Sequence, residues 1–590
     1  AAAADPGARP VHTGPRSELA AALAACRGAF IGVGIMSAMV NILYLTGSFF
    51  MLEVYDRVLP SRSVPTLIGL IVLAAVLYIA QGVLDMIRAR ILVRIGVSLD
   101  ESLSGRVFET ISRLPLKVGQ RNDGMQPLRD LDAIRTFLGG GGPIAMFDLP
   151  WMPFYIGICF IFHPLIGFTA LVGAIVLVTV TLMTEMRTRA PMKEAIGFAT
   201  ARNGLAETSR RNSEALIAMG MLGRMSRRWY DANNRYLAGQ QRVSDVAGGL
   251  GAVSKVLRMM LQSTLLGVGA YLVINQLATA GIIIAGSILG ARALAPVDLA
   301  IANWKGFVTA RQGWQRLTQL LKIMPEQTPP MALNPPSKTL KAEGAAVAAP
   351  GAQKVVAQDI TITLDKGNGL GIIGPSASGK SSVARMLVGV WQPVRGKIRI
   401  DGAALDQWST ETLGAHIGYL PQDVELLAGT VAQNIGRFEA EADSAAVIAA
   451  AKMAGVHDMI VNLSEGYETQ IGEQGTSLSA GQAQRIALAR ALYRDPFLVV
   501  LDEPNSNLDS EGDEALTKAI LAVRARGGIV VVVAHRPSAI AGVDLLMVMK
   551  NGRQQAFGPK DAIMSKLTQP QALPGPLKVV SEAAGGKRTP

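Results

Sequence analysis

Cysteine is almost missing from this chain. Two occur in 590 residues, Cys26 and Cys159, too few for a disulfide framework or a cysteine-built metal site, and both read as inert. Charge is sparse as well: Asp, Glu, Lys and Arg make up 17% of residues against 49% apolar ones, and the mean hydropathy of +0.30 points to membrane spans rather than to a wholly soluble protein. The sequence also lacks an initiator methionine and a signal peptide with a cleavage site, so residues 1–27 read as a leading segment with a trimmed or altered start. The net charge of +12 fits either a nucleic-acid binder or a membrane protein with basic cytoplasmic loops, and where the charge lies decides between them. It lies beside apolar runs, so the partner expected is a lipid bilayer and not nucleic acid.

Long uncharged stretches are what the chain does have. Gly28–Met51 exceeds the roughly 20 residues needed to cross about 30 Å of hydrocarbon, and Leu67–Met86 follows after a charged turn over Glu53–Pro65. Ile87–Gly142 is too basic for lipid, carrying Arg88, Arg90, Arg94 and six further Arg or Lys residues before a glycine run, Gly139–Gly142, that reads as flexible. Apolar runs resume at Ile144–Phe162 and Leu165–Met183, separated by His163-Pro164. After a second basic segment, Arg187–Arg242, they return at Val256–Asn275 and Ala278–Val297.

These are six spans with short loops on one side and two long basic loops on the other. Arg88, Arg90, Arg94, Arg187 and Arg189 flank span ends, which by the positive-inside rule places the long loops and both termini in the cytoplasm. The spans run without a break into helix-compatible sequence, so helices extending beyond the bilayer are expected, with turns at Leu114–Arg121 and near Ala218–Arg227 that touch a cytoplasmic domain. Arg292 in the sixth span either faces a polar cavity or snorkels to headgroups.

Pro325, Pro329, Pro330, Pro335 and Pro336 mark a linker over 323–339. From about residue 340 to 568 short Val/Ile runs alternate with helical patterns, an α/β domain, and 569–590 is a tail. Within that domain, residues 371–382 match G-x-x-x-x-G-K-[ST] after an apolar run. Gly374 and Gly379 let the backbone bend so that N–H groups converge, with the Ser376, Ser378 and Ser382 hydroxyls around them. Lys380 supplies a charge for the β- and γ-phosphates and Ser381 a hydroxyl for Mg²⁺. The helix that follows turns its N-terminus to the phosphates. Phe497–Leu501 reads as a buried parallel strand ending at Asp502, placed to hold Mg²⁺ through water, and Glu503 is placed to polarise an attacking water. Without the phosphate loop, Asp502-Glu503 would read as a solvated turn, and a lone His535 as structural.

Leu478-Ser-Ala-Gly-Gln482 resembles the signature motif of ATP-binding-cassette proteins, and the order phosphate loop, Gln422, signature, Asp502-Glu503, Asn507-Leu508-Asp509, His535 is that family's order. The resemblance implies a membrane α-helical domain of six transmembrane helices (28–322), of the exporter type, fused to an α/β P-loop nucleotide-binding domain, with ATP and Mg²⁺ as cofactors. It implies that Gln422 bridges the metal and the membrane domain, that His535 contacts the γ-phosphate, and that Asp509 communicates across a dimer. Ser479, Gly481 and Gln482, at a helix N-terminus, would form a second anion site for a nucleotide held by another copy, hence a homodimer.

Met51–Pro65, Gly418–Leu426 and Asp502–Asp509 are similar to type I secretion permease/ATPases of the PrtD kind. That similarity implies export of an unfolded polypeptide with an uncleaved C-terminal signal across the inner membrane, together with a periplasmic membrane-fusion adaptor and an outer-membrane channel protein. A lipid or small-molecule exporter of the same fold is the alternative, and a non-transporting ATP-dependent regulator a more distant one. Two departures stand out. Glu343–Gly351 offers no aromatic to stack on adenine, and no N-terminal cysteine peptidase is present, so no processing of cargo is expected.

Overall fold

A computed structural model describes residues 17–119, 124–325, 333–352, 354–472 and 478–568. Expectations for residues 1–16, for Arg121, for Pro329 and Pro330 and for the tail at 569–590 fall outside these. Two compact units divide near residue 326.

The first unit is helical. A short α1 (Glu18–Ala25) leads into α2 (Arg27–Leu43) and α3 (Thr46–Glu53), continued by a π-wound turn (Val54–Val58) and α4 (Leu59–Ser61). Long α5 (Val64–Val118) is followed by α6 (Gln126–Leu138), α7 (Gly141–Asp148) and α8 (Met152–Phe162). Then come α9 (Pro164–Arg211), α10 (Ser213–Ala218), α11 (Leu222–Ile274) and α12 (Ala280–Ile323). Six helical stretches among the described residues are long and apolar enough to cross a membrane: 27–61, 64–118, 141–162, 164–211, 222–274 and 280–323. The extended helices expected from the sequence are present, since α5 runs 55 residues, α9 48 and α11 53.

Beyond its apolar stretch, α5 stays helical because it becomes amphipathic. Leu92, Ile95, Leu99, Leu103, Val107 and Leu114 recur at helical spacing and are all buried. Leu99, Leu103 and Val107 pack with Leu131 and Ile134 of α6 and Leu317 and Leu321 of α12, each fully buried leucine contributing about 2 kcal/mol. Central α12 has 56% of its apolar window buried, whereas that of α5 has 6%, which leaves α5 facing lipid or another chain.

Three expectations need correction. The turn read over Glu53–Pro65 is mostly helix: winding persists to Ser61, and only left-handed Arg62 (φ +52°) and Ser63 connect the two spans. Pro65 sits in the first turn of α5, where its missing N–H costs nothing. Gly139–Gly142 is not a flexible loop but the junction of α6 and α7. Its lack of side chains makes room for the Phe137 ring, which a Cβ on Gly142 would meet at 2.1 Å.

Arg88, read as a flanking loop charge, is instead buried within α5. Its Nη1 donates to Asp148 Oδ1 and Ser37 Oγ, each at 2.9 Å, and its Nη2 to Asp85 Oδ1 at 2.7 Å. Asn41 Nδ2 adds a second donor to Asp148 Oδ1 at 2.9 Å, and Tyr155 Oη donates to Asn41 O at 2.7 Å, so one polar network joins α2, α5, α7 and α8. Arg292 lies with its guanidinium 4.3 Å from the centre of the Tyr44 ring, a cation–π partner inside the protein.

The second unit is built on a ten-stranded sheet of order β5-β4-β1-β2-β10-β9-β3-β8-β7-β6. Its strands are β1 (Thr339–Ala348), β2 (Val355–Asp365), β3 (Gly369–Ile373), β4 (Arg395–Ile400), β5 (Ala403–Ala404), β6 (Ile417–Leu420), β7 (Leu498–Asp502), β8 (Ile529–Val533), β9 (Leu545–Lys550) and β10 (Arg553–Pro559). Its helices are α13 (Lys380–Leu387), α14 (Thr410–Ala415), α15 (Val431–Ile435), α16 (Ser444–Met453), α17 (His457–Val461), α18 (Ala480–Leu492), α19 (Ser510–Ala525) and α20 (Lys560–Thr568). Strands β3, β8, β7 and β6 are mutually parallel and β1, β2, β4 and β5 antiparallel. Both faces of β7 and β8 are covered. Leu498, Val500, Ile529 and Val531 pack into one core, while Val499, Leu501, Val530 and Val532 pack into the other. Continuous apolar runs at 498–501 and 529–533 are the sequence form of that double burial.

Candidate nucleotide site

The site lies where β3, β7 and β8 end, because parallel strands covered by helices leave their carboxyl ends as the open edge. The loop from Gly374 to Gly379 joins β3 to α13. Gly374 has φ +154°, and a Cβ there would meet Met549 O at 2.2 Å, so only glycine fits. Lys380 opens α13 and is 4% exposed. Its Nζ donates to Gly374 O and Pro375 O, both at 2.9 Å, folding the ammonium back over its own loop. Burial pulls its pKa down, opposed by the charges of Glu503 and Asp502. Ser378 Oγ is buried without a hydrogen-bond partner, Ser382 is buried, and Ser376 is exposed on the loop.

Asp502 ends β7 and is 1% exposed. Ser381 Oγ donates to its Oδ1 at 3.0 Å, while its Oδ2 is buried with no hydrogen-bond partner. Burial pushes this carboxyl up to about 6. A carboxylate oxygen and a serine hydroxyl are the hard donors that suit Mg²⁺, which typically takes one or two protein ligands and fills the rest with water and phosphate oxygens. No group of three or more His, Cys, Asp or Glu able to hold a metal occurs among the described residues, in keeping with so sparse a donor set. Gln422 lies exposed just beyond β6, whose Leu420 pairs with Leu501 of β7, and so emerges on the same edge as Asp502.

Glu503 is the next residue on. Its N–H donates to Val533 O at 3.0 Å and its backbone is left-handed at φ +51°. His535, just past β8, places Nε2 at 3.0 Å from Glu503 Oε1. Lys380, Ser381, Asp502, Glu503 and His535, scattered over 156 positions of sequence, thus meet at one edge because β3, β8 and β7 are neighbours.

The signature residues are held differently. Ser479 caps α18, its Oγ accepting from Gln482 N at 3.3 Å, while the Gln482 side chain accepts from Ser479 N at 2.9 Å. The Gln482 amide is therefore engaged in the cap, and Gly481 is the second residue of the helix. Asp509 caps α19, accepting from Gly512 N at 2.9 Å, and pairs with Arg485 of α18. Sequence reasoning missed Gln484, which lies 2% exposed beneath the loop after Asp502. A polar residue on the apolar stripe of Ala487, Leu488 and Ala491 was the available signal.

Comparison with known proteins agrees with this architecture. The ABC transporter transmembrane region matches residues 30–291 and the ABC transporter domain residues 357–506. The type I secretion system ATP-binding protein PrsD of Rhizobium meliloti (strain 1021) is 56% identical over 577 residues, 98% of this chain and 99% of that protein. The leukotoxin translocation ATP-binding protein LktB of Mannheimia haemolytica is 27% identical, covering 89% of this chain and 75% of its own length. A solved bacterial Atm1-family ABC exporter with ATP bound superposes with a TM-score of 0.78 at 22% identity, over 92% of this chain and 97% of that one, a likeness of fold. The chain belongs to the type I secretion ATP-binding proteins of the ABC transporter family. It is a multi-pass membrane protein that binds ATP, an ATPase coupled to transport, and its function is ATP-driven protein export; lipid or small-molecule cargo is not favoured.

Proposed function

We propose that the chain works as a homodimer in the bacterial inner membrane, with its ATP-binding unit and both termini in the cytoplasm. In this reading it passes an unfolded polypeptide with an uncleaved C-terminal signal to a periplasmic membrane-fusion adaptor and an outer-membrane channel protein. The supporting observation is that the 56% identity to a type I secretion ATP-binding protein runs through both the membrane and the nucleotide units.

In the proposed reaction the loop N–H groups, with Ser376, Ser378 and Ser382, take the phosphates, and Lys380 leaves Gly374 O and Pro375 O for the β- and γ-phosphate oxygens. Glu503 accepts the proton of a water that attacks the γ-phosphorus as the bond to the ADP oxygen breaks, and His535 orients that carboxylate while reaching the γ-phosphate. Ser381, Asp502 and Gln422 would hold Mg²⁺, which when bound neutralises charge on the phosphate oxygens. Each chain has one phosphate loop and one signature. Ser479, Gly481 and Gln482 of a second copy therefore complete each site, with Asp509 signalling between the two.

Reconstituted in lipid nanodiscs, the protein should change its ATPase rate when given the C-terminal segment of a glycine-rich-repeat protein encoded beside it, and not when given the scrambled peptide. Equal responses to both peptides, or a response only to added lipid, would reject the cargo assignment.

A further inference from the structure

Glu503 needs more than its own sequence to point its carboxylate. At φ +51° it sits in a region that residues with a side chain enter only where the surroundings hold them. Its N–H is fixed to β8 through Val533 O and its carbonyl accepts from Ser506 N at 3.3 Å, a turn that still leaves the Pro504 carbonyl and the Asn507 N–H to be fixed by something else.

That backbone lies on Gln484. Gln484 Nε2 donates to Pro504 O at 2.6 Å and also lies 3.3 Å from Glu503 O and 3.3 Å from Ser506 Oγ. Its Oε1 accepts from Asn507 N at 3.1 Å. One buried amide thus engages residues 503, 504, 506 and 507, and its two N–H donors and its carbonyl are all used. We propose that Gln484 is a positioning residue for ATP hydrolysis: from the signature helix α18 it clamps the loop after Asp502 and fixes the direction of the Glu503 carboxylate. The proposal rests on the reading of Glu503 as the group that takes the proton from water.

The physical argument is one of pairing. An apolar residue of similar size at 484 leaves the buried Pro504 carbonyl without its partner and strips Asn507 N–H of its acceptor, so that Glu503 O keeps only Ser506 N–H, at 3.3 Å, and the loop moves to find other partners. Glu503, then held only through Val533 O and Ser506 N, loses the fixed direction of its carboxylate and with it the contact to His535. Phosphate binding, which depends on Lys380 and the loop before α13, is not touched by this change. The clamp sits five residues along α18 from the Ser479 cap, so the same rigid helix carries the signature and the hold on the base.

Steady-state ATPase assays of the full-length protein in nanodiscs test this. Gln484→Leu should lower kcat about 100-fold with the KM for ATP within about threefold of the parent. Gln484→Glu, matched in volume, should lose comparable activity when ionised, because a carboxylate offers no donor to the two carbonyls. Protonation returns one O–H donor, so the ratio of variant to parent kcat should climb as the pH falls from about 8 to about 6. Introduced into Glu503→Gln, Gln484→Leu should lower the residual hydrolysis by less than about twofold, since the group it positions is already gone.

A parental kcat in either single variant, a loss carried by KM, a pH-independent ratio, or full additivity in the Glu503→Gln background would overturn the proposal. If Gln484→Leu does not fold, the volume-matched Glu variant and its pH ratio decide. Glu503→Gln alone separates the two layers. An inactive Glu503→Gln with normal Gln484 variants removes the positioning role only, whereas an active Glu503→Gln removes the base and the positioning role together.

Discussion

Arg88 and Lys380 are both buried cations, 3% and 4% exposed, yet their neighbours differ in kind. The Arg88 terminal nitrogens meet two carboxylates, Asp148 and Asp85, and a hydroxyl, Ser37. The Lys380 ammonium meets only two carbonyls of its own loop, with Asp502 and Glu503 acting on it at longer range. A guanidinium buried within an apolar helix is expensive unless matched by opposite charge, and Asp85 of α5 with Asp148 of α7 supplies that match within the unit. An ammonium resting on backbone carbonyls gives up little when an anion arrives. In Arg88 the buried charge is closed by carboxylates within the fold, and in Lys380 it is left on carbonyls, as suits the phosphate-binding role proposed for it.

Three experiments press on that contrast. Arg88→Met should cost the most, about 3–5 kcal/mol of stability, because it leaves Asp148 buried and uncompensated. Adding Asp148→Leu should recover most of the loss in thermal unfolding of the detergent-solubilised protein, and a double variant as weak as the single would break the contrast. Lys380→Ala should next weaken ATP binding about 100-fold, the worth of about 3 kcal/mol for a hydrogen bond to a charged group. The unfolding midpoint of the nucleotide-free protein should stay put or rise, since a desolvated ammonium is removed, and titration with a fluorescent ATP analogue reads the affinity. The smallest effect belongs to Asp56, an exposed charge whose carboxylate accepts from Gly281 N at 2.9 Å and from Thr279 Oγ1 at 2.5 Å, at the start of α12. Asp56→Ala should cost about 1 kcal/mol, the worth of a helix cap, and a loss as large as that of Arg88→Met would show that exposure is a poor guide here.

Much of the fold was legible because its signals are local. The six spans announce themselves by length and hydropathy, and Gly374–Ser382 carries its loop in its spacing. Asp502 and Glu503 were placed at a strand end by the run Phe497–Leu501 before them. What escaped notice depends on contacts between distant positions. Arg88 read as a loop charge because its partners Ser37 and Asp148 lie 51 and 60 residues away. Arg292 left two readings open, and its partner turned out to be the Tyr44 ring from the opposite end of the helical unit's sequence. Gln484 went unread, because its four contacts are to backbone and a hydroxyl some 20 positions on. The helical winding through Glu53–Ser61 was hidden by its charges, which suit an exposed helix end as well as a turn.

The unbroken length of α5 has a mechanical meaning. Its 55 residues span about 80 Å at 1.5 Å per residue, of which only about 30 Å is needed to cross hydrocarbon. The remaining 50 Å or so acts as a lever arm, stiffened along one side by the buried stripe from Leu92 to Leu114. One degree of tilt at the apolar part displaces the far end by about 0.9 Å, from that length alone. Movements of several ångströms at the end of the rod correspond to a few degrees in the bilayer, so helices built this long convert slight rotations among lipids into displacements large enough to make or break a hydrogen bond.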